Sequence, residues 1–398
     1  MRIAYVSADR GVPVFGSKGC SVHVQAVVRA LRAQGARVEL FTPRGEGLPP
    51  TGLESVPLHA LPAIFPEARA LREKRSLAAN VALRATLDRE GPFDAIYERY
   101  SIWSYAGMEA AKDQGIPGLL EVNAPLVDEQ AQHRGLVDRA TAERVAERVF
   151  EAATVLIAVS QEVAAYLKRY RTARGKIHVI PNGVDPSRFP AGLAPSYRHD
   201  AETFLIGFVG SLKRWHGLPI LLEAFALVRQ RLPRAALLIV GDGPERKNLE
   251  IEITAKGLQS AVHFTGAVVP EEVPGLLVSL DVAVAPYPPW PNFYFSPLKV
   301  FEYMAAGRAI VASRIGQLNE LLKDGEDALL CQPGEPAELA QAILRLERDP
   351  CLRERLGQTA RASAIRNHNW DIAARRILGL AQASPPCQRP VPTFGCVE

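Results

Sequence analysis

The chain has 398 residues, 47% of them hydrophobic and 23% charged, with 47 Lys and Arg against 43 Asp and Glu. This balance fits a soluble globular protein of about two or three domains and excludes a mainly disordered, collagen-like or coiled-coil chain. The net charge of +4 is too small an excess to argue for nucleic-acid binding. Cys20, Cys331, Cys351, Cys387 and Cys396 are odd in number, far apart and never spaced C-x-x-C. That argues against a disulfide framework or a zinc site and fits a reducing, cytoplasmic setting. The opening apolar run is too short for a secretory signal, and the apolar stretch 273–287 contains Asp281 and ends in prolines, so no spanning helix is expected.

In chain order, short β-branched apolar runs alternate with longer amphipathic stretches. The first half carries runs at 3–7, 38–42, 95–97, 119–122, 155–160 and 177–180; the second carries them at 204–210, 236–241, 262–265, 282–286, 309–313 and 328–330. Segments between them have helical spacing, as in 218–232, where Leu221, Leu222, Phe225 and Val228 recur on one side. Continuous apolar strands separated by helices predict parallel sheets covered on both faces. The rhythm breaks at 185–203, where Pro186, Pro190, Gly192 and Pro195 crowd together, as in a linker. The expected layout is a Rossmann-like domain over 1–190, a second over 191–368, a helix at 369–383 crossing back to the first, and a flexible proline-rich tail at 384–398. Two doubly wound α/β domains of this kind are expected to face each other across a cleft, with ligands beyond the carboxyl ends of the strands.

Four stretches carry candidate chemistry. In NFYFSPLKVFEYMAAG (292–307), Ser296 and Pro297 read as a cap and a first helical position, with Gly307 as the stop. A helix start after a strand offers free N–H groups to a phosphate. Glu302 lies about 7 Å along the axis from that start, so one helix suits a diphosphate at its tip and a ribose at its carboxylate. Lys299 and Glu302 are also three apart, the spacing of an ordinary surface ion pair. In GFVGSLKRWHG (207–217), Lys213 and Arg214 follow a buried strand and suit the charge on a leaving phosphate, or a solvated basic turn. Gly241-Asp242-Gly243-Pro244 is a strand-end turn needing small residues. In the first half, the loop Val14-Phe15-Gly16-Ser17-Lys18-Gly19 leads into a helix bearing His23; its glycines suit close approach to a phosphate or sugar. It matches neither G-x-G-x-x-G nor the P-loop. Separately, Leu61-Pro62-Ala63-Ile64-Phe65-Pro66 precedes Arg69, Arg72, Lys74 and Arg75. That pattern suits peripheral contact with anionic lipid, or a solvated helix packed through Leu71, Leu77 and Val81.

Six pieces in order resemble family 4 of the retaining glycosyltransferases, which have the GT-B fold: KIHVIPNGVDPSRF (176–189), FVGSLKRWHG, IVGDGPER, VHFTGAV, DVAVAPY and SPLKVFEYMAAGRAIVAS. The resemblance runs over nearly the whole chain, to Trp370. It implies a nucleotide-sugar donor held mainly by the second domain and an acceptor held mainly by the first, with no metal. Glu302 matches the second glutamate of the family's Glu-x7-Glu motif, which binds the donor ribose. The stretch Ser296, Pro297 and Leu298 is implied for the diphosphate, Thr265 and Gly266 for the base, and the loop from Gly16 to Gly19 for closure over the donor. Tyr294 stands where the first motif glutamate belongs, placing Tyr294, Phe295 and Ser296 against the donor sugar. Ser211 and His216 replace the family's phosphate-binding Arg and Lys; Lys213, Arg214 and Lys299 are the nearby cations. Asn123 replaces the usual first-domain His and, with His23, marks the acceptor side. The departures resemble a recurring variant of the family.

The function expected is transfer of a hexosyl-type unit from a nucleotide-diphosphate sugar, UDP- or GDP-linked, to the hydroxyl of a sugar, lipid-linked or small-molecule acceptor. Lys213, Lys299 and Glu302 are the expected catalytic residues. A nucleotide-sugar epimerase on the same fold and an inactive sugar-nucleotide-binding protein are the alternatives.

Overall fold

The computed structural model describes residues 1–63 and 68–383. The expected tail at 384–398, with Cys387 and Cys396, and the Ile64, Phe65 and Pro66 part of the expected lipid-facing edge lie outside the described residues.

The chain forms two compact units, Met1–Pro181 with the segment from Asp371, and Asn182–Trp370. In the first, strands β1 (Arg2–Val6), β2 (Arg37–Thr42), β3 (Leu58–Ala60), β4 (Ala95–Arg99), β5 (Gly118–Val122), β6 (Val155–Ala158) and β7 (Ile177–Val179) form one sheet ordered β3-β2-β1-β4-β5-β6-β7. In the second, β8 (Phe204–Val209), β9 (Ala235–Val240), β10 (Val262–Gly266), β11 (Val282–Ala285), β12 (Ala309–Ser313) and β13 (Leu329–Cys331) are ordered β10-β9-β8-β11-β12-β13. Every strand pair in both is parallel. The order reverses between β1 and β4 in one sheet and between β8 and β11 in the other. Those switch points are where open α/β sheets leave a crevice.

The apolar runs are continuous because both sheet faces are buried. Along β8, Phe204, Ile206 and Phe208 enter one core, while Leu205 and Val209 enter the other, as the two-residue period of a strand requires. Each such side chain contributes about 1.5–3 kcal/mol on burial. Strand β3 has no apolar run to announce it. It is three residues long, half exposed and paired on one side only.

The boundary between the units falls at 181/182 rather than at 190/191. Val184 and Phe189 are buried in the second unit's core, and Arg361 of that unit donates to the Phe189 carbonyl. The segment that reads as a linker therefore begins as part of the second unit. The Trp370–Ala383 helix groups with the first unit from Asp371 onward, and Arg376 donates to the Val179 carbonyl at 2.8 Å. In the Arg69–Glu90 helix, Leu71 and Val81 are exposed, and the buried positions include Glu73, Asn80, Leu83 and Leu87. Packing through Leu71 and Val81 does not occur: the inward face carries Leu83 and Leu87 beside Asn80 and Glu73, which each bind backbone groups. Among the described residues no helix is long and apolar enough to cross a membrane.

Candidate active site

At the switch point of the second sheet, β8 ends at Gly210 and β11 leads to Tyr287. The Leu298–Ala305 helix begins after the aromatic stretch Phe293, Tyr294 and Phe295. Its start differs from the expected one. Pro297, with ψ 106, is the capping residue and makes no side-chain cap, so the helix begins at Leu298. The Ser296 hydroxyl accepts the Asn182 N–H at 3.3 Å, and the Ser296 carbonyl accepts the Asn182 side-chain amide at 2.8 Å. Asn182 thus holds the residue before the helix; the Val300 N–H donates to the Pro297 carbonyl at 3.0 Å, and the N–H groups of Leu298 and Lys299 are the ones at the tip that suit an anion.

Lys299 is 8% exposed. Its Nζ is buried and without a hydrogen-bond partner, lying 3.9 Å from the centroid of the Phe208 ring and 5.6 Å from that of Tyr287. Burial drives its pKa well below the usual lysine range, and the two ring faces compensate only in part. Gly210 makes room for it: with φ +142, a Cβ there would lie 2.9 Å from Nζ. Glu302 does not meet Lys299. Its carboxylate is bound by Arg188 at 2.6 Å, and the other guanidinium nitrogen of Arg188 donates to the Pro270 carbonyl at 2.6 Å. Burial raises the Glu302 pKa, and Arg188 opposes that rise. The surface ion pair that the Lys299 and Glu302 spacing allows is therefore not formed, since each side chain is drawn to a different inner neighbour.

His216 donates from Nδ1 to the Ser211 carbonyl at 2.5 Å and packs near the rings of Phe208 and Tyr287. Its pKa falls to about 3, chiefly through burial and then through Lys299 and Lys213, so the imidazole is neutral. Ser211, Lys213, His216 and Lys299 thus come together. Arg214 does not join them: its side chain is 85% exposed and leans toward Glu245 at 3.8 Å. Lys213 lies 5.7 Å from the Trp215 ring, which is stacked on Phe295 at 6.3 Å. Gly241 and Gly243 are small because the loop after β8 presses on them, at the Gly210 and Leu212 carbonyls. Thr265 and Gly266 end edge strand β10, where the Thr265 hydroxyl donates to the Gly266 carbonyl and Gly266 accepts the Gly241 N–H.

In the first unit, Gly16 packs tightly against Pro13 and Ser21, whereas Gly19 has open space around its Cα. Buried Gln25 holds the loop by donating to the Val14 and Gly16 carbonyls, both at 2.9 Å. His23 Nε2 lies 3.1 Å from Glu121 of β5. Asn123 donates to the same carboxylate at 3.1 Å, and Arg99 lies 3.8 Å from it. Burial raises the Glu121 pKa, but His23, Arg99 and Asn123 together hold it down at about 2. Sequence reasoning named His23 and Asn123 but missed Glu121, Arg99, Asn182 and Arg188. A carboxylate inside the apolar strand GLLEV was the legible signal for Glu121. Among the described residues no group of three or more His, Cys, Asp or Glu side chains stands where it could hold a metal ion.

Comparison with known proteins follows the same division. A model of "Glycosyltransferase Family 4" matches residues 17–188, and one of "Glycosyl transferases group 1" matches residues 203–349. The chain is a glycosyltransferase. Among curated relatives of this glycosyltransferase, D-inositol 3-phosphate glycosyltransferase of Arthrobacter sp. (strain FB24) is 27% identical over 375 residues, 89% of this chain and 88% of that protein. The 2-deoxystreptamine glucosyltransferase of Streptomyces kanamyceticus is 28% identical over 356 residues, 83% of this chain and 89% of that protein. Solved structures place the fold as GT-B. Sucrose-phosphate synthase from Thermosynechococcus elongatus superposes with a TM-score of 0.77 at 24% identity, covering 96% of this chain and 98% of that one. Anabaena HepE in complex with UDP-glucose gives 0.72 at 22% identity, covering 96% and 99%.

Proposed function

We propose that this glycosyltransferase moves a hexosyl-type unit from a nucleotide-diphosphate sugar to a hydroxyl acceptor with retention of configuration. The observation that carries the reading is Lys299: a buried ammonium without a partner, beside the start of a helix, at the switch point of the second sheet. Such a cation is costly unless something anionic meets it, and a donor diphosphate supplies that charge. In this reading Lys299 and the Leu298–Ala305 helix start hold the diphosphate, Lys213 contributes from the β8 loop, and Glu302, held by Arg188, accepts hydrogen bonds from the ribose. Tyr294 and Phe295 lie against the sugar, and Thr265 and Gly266 near the base. As the bond from C1 to the diphosphate oxygen breaks, the electron pair leaves with the phosphate and the sugar takes oxocarbenium character. The acceptor oxygen bonds to C1 on the same face, and its proton passes to the departing phosphate oxygen. Preorganised cations in a dry site supply the main stabilisation. The UDP-glucose complex of the Anabaena neighbour makes a uridine donor the first to try.

The test is a thermal-shift screen against UDP, GDP, ADP, dTDP and their sugar conjugates, followed by detection of released nucleoside diphosphate. A ligand at 100 times its Kd raises stability by about 2.7 kcal/mol. A shift with one nucleotide that disappears in Lys299→Met supports the donor site. Absence of any shift in a folded protein, or a shift unchanged by Lys299→Met, overturns it.

A further inference from the structure

The first unit contains a cavity of about 100 Å³ at the carboxyl ends of β1, β2 and β4, several times the ~10–15 Å³ that one water needs. Three guanidinium groups line it, Arg10, Arg72 and Arg134, with two acids, Asp9 and Glu73. The acids are already engaged. Both Glu73 oxygens accept backbone N–H groups, from Val137 at 2.9 Å and Asp138 at 3.0 Å, and Asp9 accepts the Gly11 N–H at 2.7 Å. Arg134 is paired with Glu129 at 2.6 Å. Arg10 and Arg72 have no such neutralisation: Nη1 of Arg10 is buried without a hydrogen-bond partner, and no ion pair to either side chain is present among the described residues. Arg72 projects from the Arg69–Glu90 helix, one of whose inner faces is fixed by Asn80. That amide accepts the N–H groups of Tyr105 and Ala106 and donates to the Leu77 and Trp103 carbonyls. The cavity therefore has a wall fixed by Asn80 and, among the described residues, two forked donors with no protein acceptor.

We propose that this cavity binds an oxyanion carried by the acceptor, a phosphate monoester or a carboxylate, with Arg10 and Arg72 as its donors. Planar guanidinium groups match both anions through paired N–H contacts, and among the described residues neither Arg10 nor Arg72 forms an ion pair that would compete with them. The inference rests on the proposed transfer for the identity of the bound molecule as acceptor, not for the binding itself.

The experiment is calorimetric titration of the full chain with inorganic phosphate and, in a parallel arm, with glucuronate, using the wild type, Arg10→Gln, Arg72→Gln and Arg72→Lys. Each variant's melting and its shift with the donor nucleotide serve as the check on folding. The expected result is binding in at least one arm, weakened about tenfold by Arg10→Gln or Arg72→Gln, the size of one charge-assisted hydrogen bond. Arg72→Lys recovers part of the loss. Phosphate alone identifies a phosphorylated acceptor, and glucuronate alone an acidic one. No binding in either arm, or binding equal in the Gln variants, overturns the proposal. If no nucleotide shifts the wild type while arginine-dependent anion binding persists, the donor reading falls and the cavity stands.

Discussion

In the first unit a buried carboxylate, Glu121, is surrounded by His23, Arg99 and Asn123, whereas in the second the buried Lys299 Nζ lies against the rings of Phe208 and Tyr287 with no hydrogen-bond partner. Both groups sit toward the carboxyl ends of parallel strands, where the crevice of such sheets opens. A buried charge with a complete set of partners maintains local structure. One without partners is unfavourable in the free protein and gains most when an anion arrives. In the proposed function, that contrast separates a positioning network from a group left open for the donor.

That contrast predicts opposite outcomes when each charge is disturbed. His23→Ala leaves the buried Glu121 carboxylate without one of its partners and is expected to destabilise the protein by about 3–5 kcal/mol in denaturant unfolding. The pH dependence has a definite sign. Because the folded-state pKa of Glu121 is held at about 2, its contribution is present above the ordinary carboxylate range and is lost as pH falls toward 2. A wild-type protein whose stability is flat across that acid window would break the comparison.

Lys299→Met is expected to lower turnover about 100- to 1,000-fold while raising Tm. The native ammonium has a depressed pKa, so the unfolded chain binds more protons below the ordinary lysine range. Stability then rises with pH until both states are deprotonated, and Lys299→Met removes that slope. A substituted protein that loses activity and also melts earlier would make Lys299 a packing residue instead. A smaller effect is expected for Glu302→Gln, which keeps an acceptor for Arg188 but removes the negative charge. Donor Kd should rise about tenfold with Tm nearly unchanged, as read by titration with the donor nucleotide. The smallest effect belongs to Arg214→Ala. Its side chain is 85% exposed, so stability should stay within about 0.5 kcal/mol, and donor affinity should change less than in either preceding variant.

Legibility from sequence follows the same physics. The apolar runs marked twelve of the thirteen strands because both sheet faces are buried, leaving β-branched and other apolar residues in unbroken series. Strand β3 escaped because Leu58 is its one large apolar residue, whereas the equally short edge strands β7 and β13 carry Ile177 and Val179, and Leu329 and Leu330. Ser296 and Pro297 were read as cap and first helical residue from local preferences. Asn182, far away in sequence, takes the Ser296 hydroxyl, and Pro297 becomes the capping residue instead. The boundary moved for a related reason: 182–189 has the composition of a loop, yet Val184 and Phe189 fill the second core and Arg188 reaches Glu302. The Gly241 turn was recognised as needing small residues, but the cause, a carbonyl of the neighbouring β8 loop, could be seen only in space.

The sequence by itself determined the alternation of strands and helices and the two parallel sheets. These rest on periodicity and turn chemistry, which act between near neighbours in the chain. Which charges would be paired was decided only by tertiary structure. Lys299 and Glu302 stand three residues apart on one helix, yet one ends against aromatic rings and the other on Arg188. Their partners come from strands and loops remote in sequence, and the energy of a buried charge depends on whatever folding places within a few ångströms of it.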